Sequence, residues 1–106
     1  MEKIKAIQAF MTGNIQKHYT LEELSARFEI PLTSMKTCFK GVYGTSVFAY
    51  MRTYRMHQAA VLLRTNRRES VAEIAGRVGY DNPGKFAMAF KKIMGKSPLE
   101  YRKSFV

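Results

Sequence analysis

Apolar residues recur three or four positions apart along the whole chain, which is the spacing of amphipathic α-helices. Ile4, Ile7, Phe10 and Met11 form the first of these stripes. The pattern predicts an all-α fold of about seven helices. We expect them over residues 2 to about 17, 21–28, 32–43, 47 to about 63, 71–78 and 83–94, with a short last helix opened by Ser97 and Pro98.

Helix starts carry a recurring signature, a serine or threonine followed three positions later by glutamate. The two side chains then satisfy each other's backbone N–H groups in a capping box. Asn82 followed by Pro83 is another start signal, and Ser46 caps the helix after it. The three predicted capping boxes are Thr20 with Glu23, Ser70 with Glu73, and Ser97 with Glu100.

Glycines mark most of the predicted helix ends. Gly44, Gly79 and Gly95 each follow the last apolar residue of a stripe, where a left-handed backbone ends a helix at little steric cost. Glu29 stands where the second half of the chain has Gly79. Since glutamate enters the left-handed region poorly, we expect the first turn to have a different shape.

The chain repeats one pattern of two short helices joined by a tight turn. At an offset of 50, Leu21 and Leu24 match Val71 and Ile74. At an offset of 51 five residues recur unchanged, namely Phe39, Lys40, Gly44, Ser46 and Tyr50. This is the pattern of a helix-turn-helix unit. The sequence predicts one such unit in 1–45, a linker helix in 46–64 and a second unit in 65–106. The linker helix is apolar on most sides, Phe48 included, and we expect it to be largely buried.

The charge is strongly positive and unevenly placed. Eighteen Lys and Arg residues against eight Asp and Glu give a net charge of +10. No acidic residue lies between Glu29 and Glu69, or between Asp81 and Glu100. Such acid-free basic segments favour an anionic partner, nucleic acid before membrane.

Other kinds of chemistry have little support. Cys38 is the single cysteine, so no internal disulfide forms, and we expect it to be an inert packed residue. His18 and His57 are isolated, which argues against a metal site. No cofactor motif and no nucleophile–base spacing indicates an enzyme. There is no apolar run long enough to span a membrane and no secretion signal, which predicts a cytoplasmic, nucleoid-associated protein.

The second unit resembles a family signature. Its Val-Ala-Glu-Ile-Ala, Val-Gly-Tyr, Phe-Ala-Met-Ala-Phe-Lys-Lys and Gly-Lys-Ser-Pro segments, followed by Glu-Tyr-Arg, are similar to those of the AraC/XylS transcription regulators. The likeness extends from about Ile4 to Arg102. It implies a DNA-binding part of seven helices that places two recognition helices in successive major grooves of double-stranded DNA, usually as an activator, with RNA polymerase as a further partner. A sensor or dimerisation domain, common in that family, is expected to be absent here.

The outward faces of the two recognition helices supply the candidate DNA contacts. In the first recognition helix, Met35 and Phe39 point inward and so define which side faces outward. Phe86 and Phe90 do the same in the second. Near the helix starts we expect base contacts, and farther along phosphate contacts. The candidates are Thr33, Ser34, Lys36, Thr37 and Lys40 in the first unit, and Gly84, Lys85, Met88, Lys91 and Lys92 in the second.

Two other functions stay open at this point. A non-specific nucleic-acid-binding architectural protein needs the same positive charge without base preference. A membrane-surface or partner-binding helical module is disfavoured, because it needs neither capping boxes nor a repeated Phe-Lys pair.

Overall fold

The computed structural model describes residues 2–105 of the 106-residue chain, and within them it contains seven α-helices and no strand. This confirms the all-α prediction. Met1 and Val106, the end residues of the predicted segments 1–45 and 65–106, lie outside the described residues. The helices are α1 (Glu2–Thr12), α2 (Leu21–Arg27), α3 (Leu32–Tyr43), α4 (Val47–Thr65), α5 (Val71–Arg77), α6 (Pro83–Met94) and α7 (Pro98–Lys103).

The helices form two compact units, the first ending at Arg52 and the second starting at Thr53. Helix α4 therefore contributes residues 47–52 to one unit and 53–65 to the other. In the first unit, buried side chains from α1, α2, α3 and the start of α4 form one hydrophobic core. Its buried members are Ile4, Ile7, Met11, Leu24, Met35, Phe39, Val47 and Met51.

The second unit buries Met56 and Leu63 from α4, together with the apolar side of α5 and α6. The rings of Phe86 and Phe90 lie 5.8 Å apart, and Tyr101 of α7 meets Phe90 edge-on at 5.4 Å. Offset and edge-on ring pairs of this kind are favourable. Phe86 and Phe90 of α6 are thus held in place by ring contacts within the core of the second unit.

The last helix also secures the end of α4. Arg102 Nε donates to the Leu63 carbonyl at 3.1 Å, and its Nη2 donates to the Asn66 carbonyl at 3.2 Å. Carbonyls in the last turn of a helix have no partner within the helix. The guanidinium satisfies two carbonyls at the end of α4, which ties α7 to that end of the unit.

Most of the predicted helix starts and ends are confirmed. Ser70 with Glu73 and Ser97 with Glu100 form capping boxes with both hydrogen bonds present. The third predicted box, at α2, is only half formed: the Thr20 hydroxyl accepts from the Glu23 N–H at 3.0 Å, without the return bond from the Glu23 side chain that the other two boxes have. The predicted glycine ends also hold, with φ values of 76°, 89° and 85° in the left-handed region at Gly44, Gly79 and Gly95.

The prediction of a differently shaped first turn is wrong. Glu29 has a φ of 51° and so lies in the same left-handed region as Gly79. The Ile30 N–H donates to the Ser25 carbonyl at 3.1 Å, as the Tyr80 N–H donates to that of Ala75 at 2.9 Å.

Side-chain contacts to the turn explain why glutamate tolerates this backbone. The Ser25 hydroxyl donates to the Ile30 carbonyl, and Lys3 Nζ donates to the carbonyl of Glu29 itself at 2.9 Å. Together with the backbone bond across the turn, these contacts offset the steric cost of a side chain at positive φ.

Three other expectations are corrected. Helix α1 ends at Thr12 instead of near residue 17. Just after this end, the Asn14 side chain donates to the Phe10 carbonyl at 2.8 Å, and the chain turns. Cys38 is exposed, so it is not a packed residue. Phe48 is 55% exposed, so the first turn of α4 is less buried than its composition suggests.

Candidate nucleic-acid interface

Helix α3 presents an exposed polar face because its other side is anchored in the core. Met35 and Phe39 are fully buried, and the Phe39 ring contacts Tyr43 and Tyr50 at centroid distances of 4.7 and 5.5 Å. These anchors fix the rotation of the helix about its axis. The five predicted side chains are all exposed on the remaining surface: Thr33, Ser34, Lys36, Thr37 and Lys40.

Helix α6 has the same arrangement in the second unit. Phe86 and Phe90 are fully buried, and Asn82 Oδ1 accepts from the N–H groups of Gly84 and Lys85 at 2.8 and 3.1 Å. This cap stabilises the first turn of α6, which is the part of a recognition helix whose side chains contact bases. The five predicted residues are exposed here as well: Gly84, Lys85, Met88, Lys91 and Lys92.

The fold therefore brings each set of five together on one helix face. The inward positions are confirmed, and contact with DNA stays a prediction for all ten residues. Met88 stands out because it is 76% exposed, the largest value among the exposed large apolar side chains of residues 2–105.

Two carboxylates of the second unit have hydrogen-bond partners of their own. Arg77 Nε donates to Glu69, and this hydrogen bond holds the pKa of the Glu69 carboxyl below its usual range. The Ser97 hydrogen bonds of the capping box lower the pKa of Glu100 in the same way. Neither α3 nor α6 contains an acidic residue. The exposed lysines of both helices are thus placed on surfaces that attract a polyanion.

Sequence reasoning missed two residues beside the α3 face. Cys38 lies four positions after Ser34, so helical spacing alone places both on one side. Phe48 lies in the first turn of α4, and with Lys36 and Lys40 it lines a depression of about 430 Å³. The apolar character of Cys38 and Phe48 predicted burial in the core, whereas their positions in the helical repeat indicated an outward side chain.

Arginines at the middle of α4 have a different setting. Arg52 is exposed, whereas Arg55 is half-buried, and burial lowers the pKa of its guanidinium while the nearby Tyr80 opposes that change. A half-buried guanidinium beside a tyrosine fits a structural position better than a place on a binding face.

Two further properties bound the chemistry of residues 2–105. In this part of the chain, no cluster of three or more His, Cys, Asp or Glu side chains is placed to hold a metal ion. No helix among the described residues is both long and apolar enough to cross a bilayer.

Comparisons with known proteins agree with this architecture. The model of a family described as a helix-turn-helix domain matches residues 24–104. The HTH-type transcriptional activator RhaR of Mannheimia succiniciproducens is 29% identical over 106 residues, which is all of this chain and 38% of that relative. This chain therefore spans well under half the length of that regulator.

Two solved structures show the same fold over nearly the whole chain. The C-terminal domain of AraT, a response regulator from Geobacillus stearothermophilus, is 30% identical with a TM-score of 0.91, covering 98% of this chain and 86% of that one. The DNA-binding domain of AdpA, a global transcriptional factor solved in complex with a target DNA, is 27% identical with a TM-score of 0.90. That match covers 97% of this chain and 92% of the AdpA domain.

Proposed function

Because this chain belongs to the AraC-type helix-turn-helix family of transcription regulators, we propose that it binds double-stranded DNA sequence-specifically through α3 and α6. The observation that carries the proposal is the arrangement found in both units. Each has a short helix, a left-handed turn and a second helix whose outer face is exposed, basic and free of acids. A helix of this kind fits the major groove of B-DNA.

The first unit supplies most of the base reading. Lys36 donates to guanine O6 and N7, while Thr33, Ser34 and Thr37 contact base edges or a thymine methyl group. Lys40, one turn farther along, binds a phosphate. These roles follow from their exposure on one face of α3, with the earlier residues nearer the helix start.

The second unit reads fewer bases and binds more phosphate. Lys85 is the residue that contacts a base. The neighbouring Gly84 has no side chain and lets the helix backbone approach the DNA closely. Met88 packs against a thymine methyl group, and Lys91 and Lys92 bind phosphates. In this assignment 1–45 and 65–106 are the two DNA-binding segments, and 46–64 is the linker helix between them in the sequence. Their recognition helices bind successive major-groove segments of the duplex, which are about one DNA turn, ~34 Å, apart.

The biological role follows the relatives. RhaR is described as a transcriptional activator, and we place this chain in the same role, with RNA polymerase as its protein partner and the cytoplasmic nucleoid as its location. In this proposal the chain uses no cofactor and catalyses no reaction. A sensor or dimerisation domain, where the family has one, is not needed for the DNA contact itself.

Lysine substitutions test the proposal. A cognate duplex is first selected from a random pool, and binding of Lys36→Ala and Lys91→Ala is measured on cognate and random duplexes at several salt concentrations. Lys36→Ala should weaken cognate binding selectively, by about 1–3 kcal/mol. Lys91→Ala should weaken binding to both duplexes and reduce the salt slope by about one.

The control is Lys5→Ala, which removes an exposed lysine of α1, a helix that carries none of the ten candidate residues. With about six phosphates neutralised, the wild-type log–log salt slope should be near −5. Equal losses for both recognition-helix variants on both duplexes would instead support the non-specific architectural protein. A wild type that binds neither duplex would contradict the proposal as a whole.

A further inference from the structure

The two units share an exposed apolar residue that the recognition-helix assignment does not use. Phe48 is 55% exposed and Leu99 is 58% exposed. They occupy equivalent positions, because the offset of 51 that matches Phe39 with Phe90 also matches Phe48 with Leu99. Each is the second residue of the helix that follows a recognition helix, one position after its start. One exposed apolar side chain is ordinary, whereas the same exposure at both repeat positions points to a shared role.

In the first unit the surroundings of Phe48 are defined. It lines the 430 Å³ depression with Lys36 and Lys40 of α3, and the other lining residues are Leu21, Ser46 and Val47. The lysines assigned to a base and to a phosphate therefore border the same space as the phenyl ring. A DNA strand held by both lysines would pass over that ring.

Phe48 also borders a second depression, which is lined by residues 18–21 and by Glu22 with its carboxylate group. A phosphate is repelled by this carboxylate and attracted by the two lysines. The lining charges thus favour DNA at the depression that contains the two lysines, and these lysines belong to the proposed α3 interface.

We propose that Phe48, and Leu99 at the equivalent position, pack against the carbon surface of the DNA strand that the neighbouring recognition helix binds. This inference rests on the proposed function. The ligand chemistry is an apolar patch of the nucleotide, either the carbons of a deoxyribose or the 5-methyl group of thymine. Packing of this kind adds affinity by removing apolar surface from water without neutralising a phosphate.

This contact has a signature that separates it from the lysines. Phe48→Ala should weaken duplex binding by roughly five- to tenfold, because about half of the ring is available for burial against DNA. The log–log salt slope should stay at its wild-type value, since no counterion is released by an apolar side chain. Lys40→Ala should lower affinity and also reduce that slope by about one.

The experiment measures binding of wild type, Phe48→Ala, Phe48→Leu and Leu99→Ala to the selected duplex over a salt series. Val61→Ala is the matched control, an apolar residue of α4 that is 41% exposed and does not line the depression. Phe48→Leu keeps an apolar group and should bind within about twofold of wild type. Circular dichroism checks the fold, and if Phe48→Ala is unfolded, Leu99→Ala still carries the test at the equivalent position.

A second arm replaces each thymine of the site by uracil, which lacks the 5-methyl group. A Phe48→Ala loss that disappears on this duplex identifies the thymine methyl as the ligand, whereas a loss that persists identifies deoxyribose. Wild type that binds DNA, together with Phe48→Ala and Leu99→Ala variants that match Val61→Ala, would overturn the apolar contact and leave the proposed function intact. Wild type that fails to bind any duplex would remove the proposed function first.

Discussion

The first and second helix-turn-helix units reach the same backbone shape with different residues. Gly79 forms the left-handed turn in one, and Glu29 forms it in the other. Both turns are closed by equivalent backbone hydrogen bonds, and both recognition helices are anchored by fully buried phenylalanines. The shape is therefore specified by capping, by turn hydrogen bonds and by aromatic anchors, and no single turn residue is essential to it.

The outer faces differ where the inner faces agree. On α3 the outward positions are mostly hydroxyl and lysine side chains, which can donate to base edges. On α6 the matching surface includes Gly84 and Met88, which have no polar side-chain group. The same helix-turn-helix backbone therefore carries two different surfaces, one suited to contacting bases and the other to binding the DNA backbone.

Removing a buried ring from each unit should have the greatest effect, and it tests whether the two units have equivalent cores. Phe39→Ala and Phe90→Ala each remove a fully buried ring at matching repeat positions. Each should lower the free energy of unfolding by about 3–5 kcal/mol, because the loss of buried surface is combined with a cavity. Urea unfolding followed by circular dichroism measures this loss.

The control for the ring deletions is Met88→Ala, which should change stability by no more than about 0.5 kcal/mol because its side chain is mostly exposed. A loss under about 1 kcal/mol for only one of the two phenylalanines would show that the units are not anchored alike.

An intermediate effect tests the two turns. Gly79→Ala should destabilise the protein by about 1–2 kcal/mol, since alanine pays the steric cost of a φ of 89°. Glu29→Gly should do the reverse and stabilise by roughly 0.5–1 kcal/mol, because glycine enters the left-handed region without that cost. Urea unfolding at constant pH measures both changes.

Gly76→Ala is the matched control for these turn variants. This glycine is exposed within α5, and a methyl group there meets no atom within 4 Å. The change should stabilise by about 0.5–1 kcal/mol through helix propensity. If Gly79→Ala stabilised by the same amount, three positions away, the left-handed turn would not be required.

The smallest effect concerns the second unit's carboxylates. Glu69 and Glu100 have pKa values below the usual 4.5 in the folded protein, through the hydrogen bonds from Arg77 and Ser97. Their stabilisation is complete above pH 4.5 and is lost as the pH falls through the folded pKa values. Melting temperature should therefore drop below about pH 4.5, and a Glu69→Gln, Glu100→Gln double variant should show a shallower drop.

Glutamine is the suitable replacement in this experiment because it cannot titrate and, at position 100, can still form the capping box. Both groups are near the surface, so the change in melting temperature should be small. A double variant that keeps the full acid-side drop would show that other groups cause it.

Local signals were readable from the sequence because their causes are local. The Ser70–Glu73 and Ser97–Glu100 boxes and the Gly44 and Gly95 ends involve residues within one turn of each other, so spacing predicts them directly. The outward positions of α3 and α6 followed from helical spacing once the phenylalanines were placed inside.

Features that depend on distant contacts were not readable in this way. The turn at Glu29 is helped by Lys3, which is 26 positions away, and propensity alone argued against that backbone. The exposure of Phe48 and Cys38 depends on which neighbours cover them after folding, whereas apolar character indicates only a preference for burial. The roles of the ten candidate residues toward bases and phosphates depend on a partner that the sequence of this chain does not describe.

The exposed thiol of Cys38 gives this protein a practical property. It is the single cysteine of the chain, and it lies on α3 beside Thr37. A maleimide dye or spin label would therefore attach at one defined place without any engineering. Spectroscopists would obtain a reporter on the recognition helix of the first unit, and the same thiol makes protein stored without a reducing agent prone to pair into disulfide-linked dimers through that surface.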